Sequence, residues 1–363
     1  MYPEHTRYYL GFNLVPGIGP VRLARLIARC GSVAEAWQAD AFTLAAAGIE
    51  AKASAALLAA RPQLDLDAEL ARVAAADVTL LTLEDANYPA LLREAPGAPP
   101  LIYLRGSLPP AEDWTVAVVG TRVPTAYGRE ATYQLASDLA RAGVCVVSGL
   151  ALGVDTLAHE ATLEVGGRTL AVLGSGVDLP TPERNRRLGE RIVAQGGALI
   201  SDYPLGTPPT ATNFPPRNRI ISGLSRATLV IEAGERSGAL ITVGFALEQG
   251  RDVFAVPGSI FSRQSAGCHR LIRDGAGLAR SAADLLSDLD LNTVSVQREA
   301  RATLPDDPIE AAVLACLSSN PCHIDELGRE AGLPAPTVAA ALVLLELKGL
   351  ARQASPLQYV AAR

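Results

Sequence analysis

Three consecutive polar residues, Arg217, Asn218 and Arg219, follow the aromatic residue Phe214 and a pair of prolines. Guanidinium groups bind phosphate oxygens and aromatic rings stack on nucleobases, so this segment could hold a nucleic-acid strand. The prolines predict a helix that begins only after Pro216, where free N–H groups and the helix dipole would favour an anion. An Arg-rich helix start that pairs with acidic neighbours explains the same residues, and the segment alone leaves both interpretations open.

A second candidate phosphate site is the turn Gly120, Thr121 and Arg122, which follows the apolar run Val116–Val119 and precedes a helical pattern over Tyr127–Arg141. Glycine lets a ligand approach the backbone, and Arg122 supplies a positive charge. Neither G-x-G-x-x-G nor G-x-x-x-x-G-K-[ST] occurs, so neither an ordinary dinucleotide site nor a P-loop is predicted. A tight turn with an ion-paired arginine is the alternative.

Both clusters lie in residues 86–290, where continuous apolar runs alternate with helical patterns. The alternation predicts an α/β fold with a doubly wound, mostly parallel sheet, helices on both faces and right-handed crossovers. The predicted strands are Val116–Val119, Val144–Ser148, Thr169–Leu173, Ala198–Ser201, Thr228–Ile231 and Asp252–Val256. Ligands bind at the carboxyl ends of such strands, so the small and polar residues there should line one crevice. They include Gly120, Thr121, Arg122, Ser148, Gly149, Gly174 and Glu232.

Other polar residues near the strand ends have both a chemical and a structural interpretation. Asp155 and His159 lie four residues apart and could act as acid and base, although an N-cap aspartate tied to a structural histidine also explains them. With Glu232 they would serve the alternative function, a nucleotide or nucleoside-phosphate hydrolase, but no G-x-S-x-G nucleophile context occurs. Ser237 and Gly238 open a helix, where serine is usually a cap, and lining of the crevice is the alternative.

Residues 1–85 are rich in Ala and Leu and are predicted to form a helical domain. A Pro-Gly-x-Gly turn within 14–20 precedes a helix over Val21–Cys30, the pattern of a helix-hairpin-helix. Arg22, Arg25 and Arg29 share one face of that helix, so they are secondary candidates for DNA contact. A packing hairpin with a solvated basic face remains open, as does a protein that binds duplex DNA through this domain and uses its core as a scaffold.

After a polar linker at 291–305, residues 306–363 are predicted to form a winged helix. Helical patterns over Pro308–Leu317, Ile324–Glu330 and Pro336–Leu347 are followed by two short β-like runs. The third helix would read DNA in such a domain, yet it carries no basic residue. The domain has seven acidic and four basic residues, so a protein contact or a packing role is favoured over duplex binding.

Composition narrows the class of protein. The 363 residues are 49% hydrophobic and 19% charged, enough apolar sequence for two or three domains with sizeable cores. The net charge of −6 argues against bulk electrostatic DNA binding but allows a local basic groove. The five cysteines form no C-x-x-C pair, and no secretory or membrane-spanning pattern occurs, so we expect a cytoplasmic protein with no metal, cofactor or membrane contact.

Together these segments resemble the family of the DNA-processing protein DprA, also called Smf. The resemblance covers nearly all of residues 86–280, and the flanking regions are similar to the family's SAM-like helical domain and winged helix. The motifs are Tyr88-Pro89, Pro100–Gly106, Val119–Arg122, Ser148–Ala151 with Gly153, Asp155 and His159, Phe214–Ile221, Ser237-Gly238 and Pro257-Gly258. The resemblance implies a Rossmann-like core, without known catalysis, that binds single-stranded DNA. It also implies protection of incoming strands during natural transformation, loading of RecA and a homodimer.

The resemblance also assigns residues. The family's strand-binding pocket corresponds to Arg122, Phe214, Arg217 and Asn218. The complete set of predicted DNA contacts is Gly120, Thr121, Arg122, Ser148, Gly149, Gly174, Phe214, Arg217, Asn218, Arg219, Ser237 and Gly238. The dimer contacts are expected at Leu271 and Ile272.

Two departures from the family pattern lie at positions where contacts with the DNA strand are expected. Leu179 and Pro180 follow Asp178 where the family usually has Tyr-Pro, and Ala211 stands where some relatives have a basic residue. The missing contacts could be redistributed to the nearby arginines Arg184, Arg186 and Arg187.

Overall fold

A computed structural model describes residues 2–110, 114–289, 307–318, 322–347, 351–355 and 357–361. The chain divides into two compact units, Met1–Leu289 and Asp290–Arg363. The larger unit holds both the predicted helical region and the predicted α/β region.

A nine-stranded sheet forms the centre of the larger unit, in the order β1-β2-β6-β5-β4-β3-β7-β8-β9. The strands are β1 (Thr79–Thr82), β2 (Leu101–Gly106), β3 (Thr115–Val119), β4 (Cys145–Ser148), β5 (Thr169–Val172), β6 (Ala198–Ser201), β7 (Ala227–Val230), β8 (Asp252–Ala255) and β9 (Gly277–Leu278). In this order every neighbouring pair from β6 to β9 is parallel, whereas β2 pairs antiparallel with both β1 and β6. The expected mostly parallel α/β core is therefore confirmed.

Helices cover both faces of this sheet. On one face pack α8 (Ala126–Arg141), α9 (Val154–Glu164) and α14 (Ala282–Asp288), and on the other pack α7 (Ala90–Glu94), α11 (Phe214–Gly223), α12 (Ala239–Glu248) and α13 (Ala266–Arg273). Helix α10 (Arg186–Ala194) lies against β5 and β6. Strands β3 to β7 are buried at every position, which explains why their sequences are continuous apolar runs rather than alternating ones.

The N-terminal helices share a core with the sheet. They are α1 (Glu4–Leu14), α2 (Pro20–Cys30), α3 (Val33–Gln38), α4 (Ala41–Ala46), α5 (Ala51–Ala60) and α6 (Leu66–Ala75). Phe12 packs edge-on against Trp37, with ring centroids 5.1 Å apart, and both belong to one cluster with Leu101 and Leu173 of the sheet region. Because β1 also precedes residue 86, the sheet begins inside the segment assigned to the helical domain.

The start of α11 differs from the expectation. This helix begins at Phe214, before the prolines, and both prolines lie in its first turn. A proline fits there because the first N–H groups of a helix have no intrahelical acceptor. Because proline has no N–H, Pro215 and Pro216 remove two of the free donors at this end of the helix. The N-terminus of α11 is therefore a poorer anion site than the sequence suggested.

The smaller unit has the predicted winged-helix arrangement. Helices α15 (Pro308–Cys316), α16 (Ile324–Ala331) and α17 (Ala335–Leu347) accompany a three-stranded sheet of β10 (Cys322–His323), β12 (Gln358–Ala361) and β11 (Ala351–Ser355), in that order. Its apolar side chains form a separate core around Val313, Leu327 and Leu342. Across both units, no helix among the described residues has the length and apolar character needed to cross a membrane.

Candidate nucleic-acid interface

Three glycines stand side by side at the carboxyl edge of the sheet. Gly120 follows β3, Gly149 follows β4 and Gly174 follows β5, and these strands are neighbours in the order β5-β4-β3. Parallel neighbours are about 4.8 Å apart, so the three strand ends lie within roughly 10 Å of one another. The three glycines therefore share one short edge of the sheet, the edge at which the crevice was predicted.

The turn at Gly120, Thr121 and Arg122 is fixed by backbone hydrogen bonds. The N–H of Thr121 donates to the carbonyl oxygen of Glu232 at 2.8 Å, and the N–H of Val154 donates to the carbonyl of Thr121 at 3.2 Å. Arg122 is exposed, and its guanidinium forms no hydrogen bond or ion pair with any residue the structure describes. The expected ion-paired alternative is thus not found, and the arginine is available to a ligand.

The ring of Phe214 lies close to two guanidinium groups. Its centroid is 5.8 Å from Cζ of Arg122 and 5.9 Å from Cζ of Arg217. Gly174 makes room for this ring, since a Cβ at that position would lie 3.0 Å from Cδ1 of Phe214. The half-buried ring and exposed Arg122 lie side by side at this edge. We call this surface the Arg122–Phe214 groove, and it can offer a phosphate contact beside a stacking platform.

Arg217 is not a free phosphate ligand. It is only 5% exposed, and its Nη1 donates to the carbonyl oxygens of Gly149, at 2.8 Å, and Val172. Its Nε donates to Oδ1 of Asn218 at 3.2 Å. Burial lowers the pKa of Arg217 to about 10, an effect opposed by the nearby charge of Asp155. These hydrogen bonds hold α11 against the ends of β4 and β5, so Arg217 has a structural role in the groove.

Arg219 points to a different part of the molecule. Its Nη2 donates to Oδ2 of Asp202 at 2.6 Å, and its Nη1 donates to the carbonyl of Gly97. A helix turns about 100° per residue, so positions 217 and 219 diverge by about 200°. The structure does not bring Arg219 into the Arg122–Phe214 groove. Arg219 instead pairs with an acidic neighbour, which is the alternative that the sequence left open.

Four other predicted contacts have structural hydrogen bonds or packing of their own. Ser148 is fully buried, and its Oγ donates to the carbonyl of Val118 at 2.7 Å. Gly149 is needed because a Cβ there would lie 2.7 Å from Nη2 of Arg217. Ser237 Oγ accepts from the N–H of Ala239 at 3.3 Å, but the N-cap of α12 is Gly238, so the serine itself is not the cap.

The three residues of the hydrolase alternative are buried and bonded within the fold. Asp155 accepts N–H groups from Gly149 and Ala151 at 3.1 and 3.3 Å, and burial raises its pKa. Asp155 is inside α9 rather than at its N-cap, which is Gly153, so that detail of the expectation is wrong.

His159 and Glu232 have other partners. His159 Nδ1 lies 2.7 Å from Oγ1 of Thr169, and burial lowers the histidine pKa to about 3. Glu232 accepts from the N–H and Oγ1 of Thr125, at 2.9 and 2.6 Å, at the start of α8. These contacts give each residue a structural role within the fold.

In the N-terminal region, α1 and α2 flank the turn at residues 15–19, and the helix-hairpin-helix motif there stays a prediction. Arg22 donates to the carbonyl of Gly17 at 2.7 Å and pairs with Glu50, so its guanidinium already has partners at this turn. Arg25 and Arg29 are exposed on α2 and remain predicted secondary contacts.

The predicted dimer residues Leu271 and Ile272 lie on α13. Both are half-buried against the core of the larger unit. Leu271 borders a surface hollow of about 350 Å³ that also includes Leu247, which is largely exposed. The dimer assignment stays a prediction.

Comparison with known proteins gives a consistent family match. A family model described as DNA recombination-mediator protein A matches residues 79–290, and one described as the DprA winged helix domain matches residues 297–355. Protein Smf of Synechocystis sp. is 36% identical over 99% of each chain. DNA processing protein DprA of Streptococcus pneumoniae is 44% identical over 57% of this chain and 72% of its own.

Two solved structures are similar. The X-ray structure of DprA from Streptococcus pneumoniae has a TM-score of 0.68 at 35% identity and covers 77% of this chain and 97% of its own. DNA processing protein A from Helicobacter pylori, whose structure concerns its single-stranded DNA binding mode, has a TM-score of 0.52 at 28% identity. That match covers 58% of this chain and 95% of the Helicobacter pylori chain.

Proposed function

This chain belongs to the DNA recombination-mediator protein A family, also called DprA or Smf, and we propose that it binds single-stranded DNA in the Arg122–Phe214 groove. The observation that carries this proposal is Arg122 itself: an exposed, unpaired guanidinium beside a half-buried aromatic ring at the carboxyl edge of the sheet. The described binding mode of the Helicobacter pylori relative supports the choice of ligand.

Each part of the groove has a distinct task. Arg122 binds a phosphate, and the N–H groups of the Gly120 turn can add weaker contacts. Phe214 stacks on a base, a contact worth about 1–3 kcal/mol that tolerates any base. Arg217 and Asn218 act behind the ring, where their hydrogen bonds hold α11 against the ends of β4 and β5. The result is affinity for a single strand without sequence preference.

A duplex fits this groove less well than a single strand. Stacking on Phe214 requires an unpaired base whose face is accessible, and bases within a duplex are already stacked on their neighbours. The overall charge of −6 also gives no general attraction for the denser phosphate charge of a duplex. We therefore infer that the core is a binding protein for single strands, and that any duplex contact belongs to Arg25 and Arg29.

The wider role that we propose is that of the family: protection of incoming strands in natural transformation and loading of RecA, by a homodimer without catalytic activity. Support for the dimer comes from the hollow beside Leu271, where the side chain of Leu247 is 63% exposed. Sedimentation of Leu247→Glu tests this contact without disturbing a core residue. A dimer that survives the substitution would place the contact elsewhere.

The binding proposal is tested by titrating a labelled single strand and its duplex at two salt concentrations. Arg122→Ala should weaken single-strand binding about tenfold or more, since a hydrogen bond to a charged group contributes about 1.5–3 kcal/mol. It should also reduce the slope of log affinity against log salt by about 0.7, the value for one phosphate contact on a single strand.

The matched control is Arg141→Ala. Arg141 lies at the opposite end of α8, about 24 Å from the groove by helix length, and its only described partner is the exposed Asp138. This variant should bind as the unmodified protein does. Equal affinities for the two variants would show that the groove is not the binding site.

A further inference from the structure

The carboxyl edge of the sheet continues beyond the groove into an unassigned basic cleft. This α13 cleft has a volume of about 740 Å³ and is lined by Glu235, Arg236, Ala266, Gly267, His269, Arg270 and Arg273. Arg236 and Arg270 are exposed, and neither forms an ion pair with a described residue. Arg273 pairs with Asp274 at 3.5 Å, which leaves Arg236 and Arg270 against the single glutamate Glu235, so the cleft favours an anion.

The cleft is connected to the Arg122–Phe214 groove through two consecutive residues, Glu232 and Ala233. Thr121, next to Arg122, donates its N–H to the carbonyl of Glu232 at 2.8 Å. The following residue, Ala233, accepts the N–H of Gly267 from α13, also at 2.8 Å. The two surfaces are therefore held in a fixed relation by the segment that leaves β7, and they share one edge of one sheet.

An exposed aromatic residue stands beside the same edge. The loop from β8 to α13 carries Ile260 and Phe261, which are 81% and 92% exposed. Its start is tied to α8, since Tyr127 Oη donates to the carbonyl of Pro257 at 2.5 Å. An open hollow of about 650 Å³, lined in part by Thr125, Tyr127 and Gly258, lies between the start of α8 and this loop.

We propose that the α13 cleft is a second binding segment for the same single strand, with Arg236 and Arg270 on phosphates and Phe261 as a second stacking platform. The inference rests on the proposed function of the groove. Single-strand grooves combine positive charge along the backbone with successive aromatic platforms, and this edge repeats both elements. From β5 to β7 the edge spans three strand intervals, or roughly 14 Å, so only a strand longer than the groove's own site reaches the cleft.

Because only a longer strand reaches the α13 cleft, DNA binding at the cleft can be measured separately from DNA binding in the groove. Affinity is measured for two oligothymidylates, one of about 3 nucleotides, which is shorter than the usual single-strand site, and one of about 15 nucleotides, near the upper end of the usual range. The double variant Arg236→Ala/Arg270→Ala should bind the longer strand at least tenfold more weakly and leave the shorter one unchanged. Its salt slope on the longer strand should fall by about 1.4, the value for two phosphate contacts.

The matched control for charge is Arg141→Ala/Arg191→Ala. These exposed arginines lie at the C-terminal ends of α8 and α10, which lead into the amino ends of β4 and β6, at the opposite edge of the sheet. Phe261→Ala should cost about 5- to 150-fold on the longer strand alone with an unchanged salt slope, as expected of stacking. Phe42→Ala, at a phenylalanine 77% exposed on α4, is its control.

The possible results decide between distinct explanations. If Arg122→Ala weakens both lengths but the cleft variant weakens neither, the second segment is refuted and the groove stands. If Arg122→Ala weakens neither, the proposed function of the groove fails as well. If the cleft variant changes only the sedimentation coefficient, the α13 cleft is an interface between copies of this chain, and the proposal is overturned.

Discussion

The contrast between two arginines gives the sharpest prediction about stability. Arg217→Ala removes the donor to the carbonyls of Gly149 and Val172 and leaves both inside the protein. An unsatisfied buried group costs about 1–3 kcal/mol, so the two together should lower the free energy of unfolding by about 2–6 kcal/mol. The loss of positive charge beside buried Asp155 acts in the same direction. Arg122→Ala removes no described hydrogen bond and should change stability by less than about 0.5 kcal/mol.

Tryptophan fluorescence during urea unfolding measures this difference directly. Both tryptophans of the chain, Trp37 and Trp114, lie in the larger unit, so the signal does not include the winged helix. The unmodified protein and Arg122→Ala should unfold at the same urea concentration, and Arg217→Ala at a clearly lower one. If Arg217→Ala were as stable as Arg122→Ala, the buried role of Arg217 would be wrong.

Three further outcomes follow from the contacts of single residues. Phe214→Ala should weaken single-strand binding by about 1–3 kcal/mol in a titration while its salt slope stays unchanged, because stacking involves no counterion. Arg219→Ala should lower the free energy of unfolding by up to about 3 kcal/mol, because it leaves Asp202, whose side chain is only 15% exposed, without its partner, and should keep the salt slope of the unmodified protein. The pKa of His159 is lower in the folded protein than in the unfolded chain. As pH falls, the unfolded chain therefore binds a proton at a higher pH than the folded protein does. The free energy of unfolding should therefore decrease below about pH 6.5 by up to 1.4 kcal/mol per pH unit, and His159→Gln should flatten that slope.

The sheet could be predicted because its central strands are buried on both faces. Continuous apolar runs such as Val116–Val119 are typical of that environment, and the glycines after them mark the ends. Strands β1, β2 and β9 were missed because they lie toward the edges of the sheet, where burial is incomplete or the strand is only two residues long. Their pairing depends on chain segments distant in sequence.

The separate roles of the arginines could not be predicted from their types. Arg122 and Arg217 both belong to family motifs, yet one is exposed and the other spans the ends of β4 and β5. Burial of a side chain is decided by how α11 sits on the sheet, which the local sequence does not contain. Arg219 was misplaced for the same reason, since its partner Asp202 lies 17 residues away at the end of β6.

The unity of the larger unit has a practical consequence for deletion experiments. Removing residues 1–85 would take away β1 and expose apolar residues that pack against Leu101 and Leu173. A loss of DNA binding in such a deletion would therefore not show that the hairpin binds DNA. Arg25→Ala/Arg29→Ala tests the hairpin in the full chain.

The central claim, that a single strand lies across Phe214, is tested most directly by photo-crosslinking with an oligonucleotide that contains iodouracil. Trypsin cleaves after Arg191 and Arg217 with no basic residue between them, so Phe214 is the only phenylalanine in the peptide 192–217. The account predicts that the crosslink is found on this peptide at Phe214 and is lost in Phe214→Leu. Crosslinks confined to residues 1–85 or to the winged helix would contradict it.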